Sequence, residues 1–177
     1  MEGGRDKEGE AVDPRARRAL IEQYTSGVRA VIEALHGVTE TELDSRPAPT
    51  EWSPRQVVHH LADSEMTSAI RLRRLLAEDG PIIHGYDEGA FARRLYYERP
   101  IQASLEAFRA ARQATAELLE RLGESDWLRE GSHSESGRYT VETWLEIYAK
   151  HAFEHAGQIR RGRAIAGTRR SRPEGTT

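Results

Sequence analysis

The sequence has 177 residues, a mass of 20.0 kDa and a formal net charge of −3, the size of one domain with a proper core. This charge gives no electrostatic basis for binding nucleic acid. The absence of cysteine excludes thiolate metal sites, disulfides and a cysteine nucleophile. No apolar run is long enough to span a bilayer, and the first residues lack a signal-peptide hydrophobic region. We therefore expect a cytoplasmic protein that does not enter a membrane.

Two terminal segments differ in composition from the rest of the chain. Residues 1–12 and 167–177 are rich in glycine and charge and have no hydrophobic periodicity, which predicts disordered tails. Between them, residues 13–166 contain four long helical patterns and very little that alternates as a strand would. The predicted fold class is therefore all-α, with one four-helix domain over 13–166.

The predicted helices have recognisable ends. We expect them from Pro14 to about Gly37, from Pro54 to Gly80, from just after Pro100 to Gly123, and from just after Thr140 onward. Ser53 and Gln56 form the clearest start, because they make a capping box around a proline at the first helical position. The connections between these helices are long. They need not join antiparallel neighbours, so crossover topologies stay open.

Two histidines lie four residues apart in the fourth helical pattern. His151 and His155 project from the same face of a helix, and neutral imidazole is a good ligand for a divalent metal. Both fall inside the apolar stripe of Val141, Trp144, Leu145, Tyr148, Ala152, Ala156 and Ile159. Burying two unpaired titratable groups is unfavourable, so they need partners. A metal site is the leading interpretation, and two hydrogen-bonded core histidines are the alternative.

A third ligand would have to come from a facing helix. The second predicted helix offers adjacent histidines, His59 and His60, which point about 100° apart, so only one of them can face the site. His60 lies slightly nearer the apolar side, alongside Val57 and Ser64, whereas His59 lies closer to Asp63. The helical wheel favours His60 without deciding between the two.

Three stretches of the sequence resemble the DinB/YfiT-like superfamily. They are Glu51–Met66 (EWSPRQVVHHLADSEM), Pro81–Glu88 (PIIHGYDE) and Tyr148–Ile159 (YAKHAFEHAGQI). The resemblance covers roughly residues 14–163, and the Trp-Ser and Tyr-Asp-Glu segments are typical of the YfiT branch. It implies an up-down-down-up four-helix bundle with a divalent metal held by three histidines.

Carried over to this sequence, the resemblance assigns the metal to His60, His151 and His155. His59 is then expected to be partly exposed or hydrogen-bonded to Asp63. The expected ion is Zn²⁺ or Ni²⁺. Bundles of this family often associate through their helices, which suggests a homodimer.

Three imidazoles with open coordination positions are typical of a catalytic metal site, where bound water or a thiolate becomes a nucleophile. The resemblance implies a metal-dependent hydrolase, or a transferase of low-molecular-weight thiols such as bacillithiol or mycothiol. The substrate would be a small molecule, and a thiol would be a cosubstrate because the chain has no cysteine. Two alternatives stay open: a non-catalytic metal-binding or stress-response protein, and a helical dimerisation module with buried histidines.

No catalytic residue is assigned from the sequence. The candidates for orienting ligands, moving protons or contacting substrate are Asp63, Glu65, Tyr148, Gln158, Tyr86, Asp87 and Glu88. Glu154 falls toward the polar edge of its helix and is expected to be solvated. His36, His84 and His133 are expected to be exposed bystanders. The three tryptophans, Trp52, Trp127 and Trp144, are expected to anchor the core.

Overall fold

The structure is a computed structural model that describes residues 13–170, with side chains described for 13–166. The helices are α1 (Pro14–Leu35), α2 (Glu40–Leu43), α3 (Pro54–Ala77), α4 (Glu88–Arg94), α5 (Gln102–Leu119), α6 (Glu124–Trp127) and α7 (Val141–Arg170). Three strands accompany them: β1 (Ile82–Ile83), β2 (Glu130–His133) and β3 (Gly137–Thr140). The expected tails at 1–12 and 171–177 lie outside the described residues, whereas 167–170 continue α7. None of the helices described over 13–170 has the length and apolarity needed to cross a membrane.

The first and last long helices, α1 and α7, run parallel to each other. At one end, Arg17 near the start of α1 contacts Glu142 at the start of α7, with Nη2 and Oε1 2.8 Å apart. At the other end, Arg163 Nη1 donates to the carbonyl oxygen of Ala34 at 2.6 Å. Contacts that pair start with start and end with end require the same direction for both helices.

The two middle helices, α3 and α5, are also parallel, and they run opposite to α1 and α7. His59 Nδ1 lies 2.7 Å from Ser104 Oγ near the two helix starts, and Arg73 Nη1 donates to Thr115 Oγ1 at 3.2 Å farther along. Trp144, near the start of α7, donates from Nε1 to the carbonyl oxygen of Ser68 in the second half of α3, at 2.8 Å. This confirms the up-down-down-up four-helix bundle.

The helix starts follow the predicted caps more closely than the helix ends do. Ser53 and Gln56 form the expected reciprocal capping box, with Pro54 at the first position. At the other end, α3 stops at Ala77, before Gly80, and α5 stops at Leu119, before Gly123. In both cases the glycine lies past the end of the helix. Gly80 has a positive φ of 57°, a conformation that glycine adopts without strain, and it forms the turn after α3.

A small sheet is present that the sequence did not predict. In its order β1-β2-β3, β1 pairs parallel with β2 and β2 pairs antiparallel with β3. The strands have only two to four residues, too few for a period-two pattern to stand out. The sheet packs against the bundle through Ile83 and Tyr139, which are buried with Trp144.

A buried ion pair ties the four long helices together. Arg112 on α5 donates from Nη1 to Glu65 Oε2 on α3 at 2.7 Å, and both side chains are 1 % exposed. The guanidinium also donates to the carbonyl oxygens of Tyr24 on α1, at 2.8 Å, and Tyr148 on α7, at 2.6 Å. The Tyr24 hydroxyl donates to the other oxygen of Glu65. The side chains of Arg112, Glu65 and Tyr24 therefore each have a hydrogen-bond partner from another helix.

Candidate metal centre

Three histidine side chains from two helices converge at one point. The Nε2 atoms of His60 and His151 lie 3.4 Å apart, and those of His151 and His155 lie 3.2 Å apart. Each residue offers one ligand atom, and the three atoms lie within 4.8 Å of one another. No carboxylate or further histidine joins this group at that distance among residues 13–166. The convergence that the sequence predicted for these three side chains is present.

Two of the three nitrogen separations fit a single divalent ion. A zinc–imidazole bond is about 2.0–2.1 Å long, which places two ligand nitrogens on one ion about 2.8–3.4 Å apart at octahedral to tetrahedral angles. The His60–His151 and His151–His155 separations, 3.4 and 3.2 Å, fall in or at the edge of this range. The three histidines could therefore hold a metal on one side and leave its remaining positions open.

Close packing of α7 against the start of α3 brings the three rings together. His151 and His155 are one helical turn apart on α7, and His60 faces them from the antiparallel α3. Farther along α7, a Cβ at Gly162 would lie 2.8 Å from Pro54 Cγ and Cδ. Only glycine avoids this clash, so Gly162 allows the end of α7 to approach the first turn of α3.

The three imidazoles are neutral at pH 7. Burial lowers the pKa of His60 to about 3, and burial together with the neighbouring histidines lowers the pKa of His151 to about 2. Burial also lowers the pKa of His155, against opposing effects from Gln158 and Glu154. Neutral imidazoles present the lone pairs that a metal ion needs.

Gln158 sets the orientation of one imidazole. Its Oε1 lies 2.9 Å from His155 Nδ1, and an amide oxygen only accepts hydrogen bonds. The proton of neutral His155 is therefore on Nδ1, and its Nε2 presents a lone pair to the other two histidines. Gln158 thus has the position of a residue that orients a ligand, as the sequence suggested.

His60 is held mainly by packing. Its Nδ1 is buried without a hydrogen-bond partner among the described residues. The ring of Trp52 lies 4.6 Å from the His60 ring, centroid to centroid. Trp52 is half-buried and packs against the hydrophobic core as well as against His60, so it contributes to the core as predicted without being fully enclosed. Trp127 and Trp144 are buried in the core as predicted.

His59 is turned away from the cluster and is fully buried. Its Nδ1 lies 2.7 Å from Ser104 Oγ, and its Nε2 lies 3.0 Å from the carbonyl oxygen of Arg99. The expected partial exposure or bond to Asp63 is therefore wrong, because Asp63 instead accepts from Tyr97 Oη at 2.7 Å. Arg99, in the chain just before α5, and Ser104, in the first turn of α5, therefore cover this side of α3.

The other helical candidates have different surroundings. Tyr148 lies beside the cluster, with its ring 5.7 Å from that of His151. Glu65 is committed to the buried ion pair with Arg112. Glu154 is exposed, as expected.

The candidates from the loop after β1 also differ in their surroundings. Asp87 caps α4 by accepting from Ala90 N at 2.8 Å, and Glu88 is exposed. Tyr86 is half-buried, and its ring lies 5.8 Å from the guanidinium carbon of Arg71 on α3. The expected bystanders His36 and His84 are exposed, while His133 is half-buried against Tyr139.

The class defined by fold and site is a four-helix bundle whose two antiparallel helices, α3 and α7, carry a three-histidine cluster. Comparison with known proteins agrees with this class. The sequence profile of the DinB superfamily matches residues 23–159. The structure of YfiT from Bacillus subtilis superposes with a TM-score of 0.81 at 27% identity, covering 95% of both chains. That protein is described as a probable metal-dependent hydrolase with an unusual four-helix bundle topology.

Two curated relatives are similar over about two thirds or more of the chain. A protein of Oceanobacillus iheyensis is 37% identical over 67% of this chain and 69% of its own length. One of Halalkalibacterium halodurans is 27% identical over 78% of this chain and 84% of its own. Both carry the name "putative metal-dependent hydrolase". The chain belongs to the DinB superfamily.

Proposed function

We propose that this protein is a divalent-metal-dependent enzyme that acts on a small molecule, by hydrolysis or by transfer of a low-molecular-weight thiol. The observation that carries the proposal is the convergence of three neutral imidazoles, His60, His151 and His155, with ligand atoms within 4.8 Å of one another. The names of the relatives support the metal and the hydrolytic reaction.

The proposal gives a role to five residues at the cluster. His60, His151 and His155 would hold the ion through Nε2, and Gln158 would keep His155 in the required tautomer. A zinc or nickel ion held in this way lowers the pKa of a bound water or thiol and so supplies a nucleophile near neutral pH. Trp52 fixes the His60 ring from the side.

A thiolate nucleophile has to come from outside the chain. The sequence contains no cysteine, so a thiolate can enter only as a cosubstrate. No carboxylate lies with the histidine ligand atoms among the described residues, so a general base close to the ion is also missing from this group. Metal activation of the incoming water or thiol is the route that these residues support best.

Turnover by metal-loaded protein tests the proposal. The full chain is stripped with a chelator, reloaded with Zn²⁺ or Ni²⁺, and assayed with activated esters and with thiol–electrophile pairs such as bacillithiol and chlorodinitrobenzene. We expect activity that follows the metal content and is lost in His60→Gln. The control is His84→Gln, because His84 is exposed and outside the cluster. Equal turnover by His60→Gln and the unchanged protein would contradict the proposal.

The same experiment separates the two reactions and the non-catalytic alternative. Ester hydrolysis without thiol indicates water as the nucleophile, and loss of free thiol that matches loss of electrophile indicates thiol transfer. Metal that raises the thermal midpoint while no substrate reacts indicates a metal-binding protein without turnover.

A further inference from the structure

Arg71 on α3 lies on the same helical face as His60. The two residues are eleven positions apart, so they differ by only about 20° around the helix axis and by about 16 Å along it. The Arg71 side chain donates from Nη1 to Tyr148 Oη at 3.2 Å and from Nη2 to the carbonyl oxygen of His84 at 2.6 Å. Tyr148 in turn lies beside His151. The guanidinium is therefore connected to the edge of the histidine cluster.

The charge of Arg71 has no carboxylate in contact with it. Among residues 13–166, no carboxylate oxygen lies within 4.0 Å of its nitrogens, and its Nε is buried without a hydrogen-bond partner. Glu88 lies beyond that distance; burial raises the pKa of its carboxyl, and the charge of Arg71 opposes this more weakly. Arg74, one turn farther along α3, differs because its guanidinium pairs with Glu78 at 2.7 Å.

A second unpartnered donor lies close to Arg71. The Tyr86 hydroxyl is buried, its proton has no acceptor among the described residues, and its ring lies beside the Arg71 guanidinium. Burial raises the pKa of Tyr86 to about 12, and the Ser64 hydroxyl, as a donor toward the phenol oxygen, opposes this more weakly. The hydroxyl therefore keeps its proton at pH 7. Ser64 is one helical turn from His60, so Tyr86 lies between Arg71 and the histidines.

A surface depression reaches the guanidinium from solvent. Its volume is about 320 Å³, and it is lined by Thr67, Ile70, Arg71, Arg74, Ile83 and His84. This size is at the lower end of the range for small-molecule sites. Arg71 is one of the lining residues, whereas Tyr86 and the three histidines lie outside the lining. The buried Nε–H of Arg71 costs free energy until an acceptor reaches it.

We propose that Arg71 and the Tyr86 hydroxyl bind a carboxylate of a small molecule whose reacting end lies at the three-histidine cluster. A planar carboxylate has two acceptor oxygens, one for the Nε–H and one for the tyrosine hydroxyl. Only the position of the reacting end at the histidine cluster rests on the proposed function. The carboxylate site itself is made of residues outside the cluster, so it can be tested without metal.

Nuclear magnetic resonance of the metal-free full chain tests the carboxylate site directly. The Nε–H signal of Arg71 is assigned by its absence in Arg71→Lys, and the protein is titrated with hexanoate and with hexan-1-ol. We expect a saturable shift of this signal with hexanoate only, and weaker binding by several-fold in Tyr86→Phe. A signal that responds to neither probe, or equally to both, would overturn the proposal.

A second measurement tests the link between the carboxylate site and the cluster. Protein loaded with Co²⁺ is titrated with a series of ω-mercapto carboxylic acids and the equally long ω-mercapto alcohols, and binding is followed by the thiolate-to-cobalt absorption. We expect one chain length at which the acid binds about tenfold more tightly than the alcohol, a preference lost in Arg71→Gln and kept in Arg138→Gln, which changes an exposed arginine outside the depression. A preference that survives in Arg71→Gln overturns the proposal.

The two measurements test different claims, so each can give a negative result without the other. Absence of any cobalt–thiolate signal with either probe contradicts the proposed function, while the hexanoate response still decides the carboxylate site. Binding of both thiols with no difference at any length leaves the metal centre intact and rejects the link to Arg71.

Discussion

His60 and His151 bring their Nε2 atoms to 3.4 Å although 91 positions separate them in the sequence. His155 Nε2 lies 3.2 Å from the same His151 atom and presents a lone pair, because Gln158 holds its proton on Nδ1. In the neutral state, His151 has one Nε2–H at most, so it can donate to only one of its two neighbours. A cation between the three nitrogens makes all of these contacts favourable.

Replacing Gln158 should weaken metal binding without removing it. Gln158→Leu leaves His155 free to change its tautomer and ring orientation, which costs about tenfold or more in affinity for Zn²⁺. The affinity is measured by competition with a chromophoric chelator. Glu154→Gln is the control because it changes an exposed residue next to His155 on the same helix. Equal affinities for all three proteins would show that Gln158 does not orient the ligand.

Replacing His59 should affect stability and leave metal binding unchanged. His59→Leu removes the bonds to Ser104, which keeps a hydrogen bond from Arg99 Nη2, and to the carbonyl of Arg99, which loses its partner on α3. We expect a loss of about 1–3 kcal/mol in the free energy of unfolding, measured with urea. The number of Zn²⁺ ions bound per folded chain should stay the same. A folded His59→Leu protein that has lost its metal would make His59 a ligand.

Breaking the buried ion pair should be strongly destabilising. Arg112→Met leaves Glu65 as an uncompensated buried carboxylate, and we expect a loss of about 3–5 kcal/mol in the free energy of unfolding. The double variant Glu65→Leu with Arg112→Met should recover much of this loss, because no charge then stays buried. Urea unfolding of the two single variants and the double variant measures the coupling. Additive effects of the two substitutions would contradict it.

Stability should depend on pH through Asp44. Its hydrogen bonds to Arg55, at the start of α3, lower the pKa of the Asp44 carboxyl below its ordinary value. A lowered pKa in the folded state means that the stabilisation is present above the unfolded pKa of about 3.9 and is lost as the pH falls through the folded pKa. Because Asp44 is 61% exposed, the pair contributes only about 1 kcal/mol or less.

The corresponding measurement is urea unfolding of the unchanged protein and Asp44→Asn across pH. We expect the variant to be less stable by up to about 1 kcal/mol at pH 7, with the difference shrinking between about pH 5 and 3. Glu146→Gln, a change at an exposed position on α7, is the control. A constant difference across this range would contradict the assignment to the Asp44 carboxyl.

The helices and the histidine cluster could be predicted because their signals are local. Capping at Ser53 and Gln56 gave the start of α3, and the four-residue spacing of His151 and His155 gave one helix face. The choice between His59 and His60 needed the family resemblance, because two adjacent residues on a largely buried helix both point inward. In the structure, His59 faces Ser104 and His60 faces His151.

The remaining features depend on contacts between distant segments. The sheet joins Ile83 to His133, and neither strand is long enough to show a pattern. Trp52 was expected at the core, where it does pack, but its ring contact with His60 was not foreseen. Arg71 had a usable signal, since it shares the face of His60, but its unpartnered Nε becomes visible only with the side chains in place. A cytoplasmic location and a homodimer stay predictions.

Zinc titration of the full chain and its histidine variants tests the central claim most directly. We predict that the unchanged protein, His59→Gln and His84→Gln bind one Zn²⁺ per chain with similar affinity. His60→Gln, His151→Gln and His155→Gln should each lose more than the roughly tenfold that an orienting partner contributes. One tightly bound ion that survives in all three of these variants would contradict a metal centre formed by His60, His151 and His155.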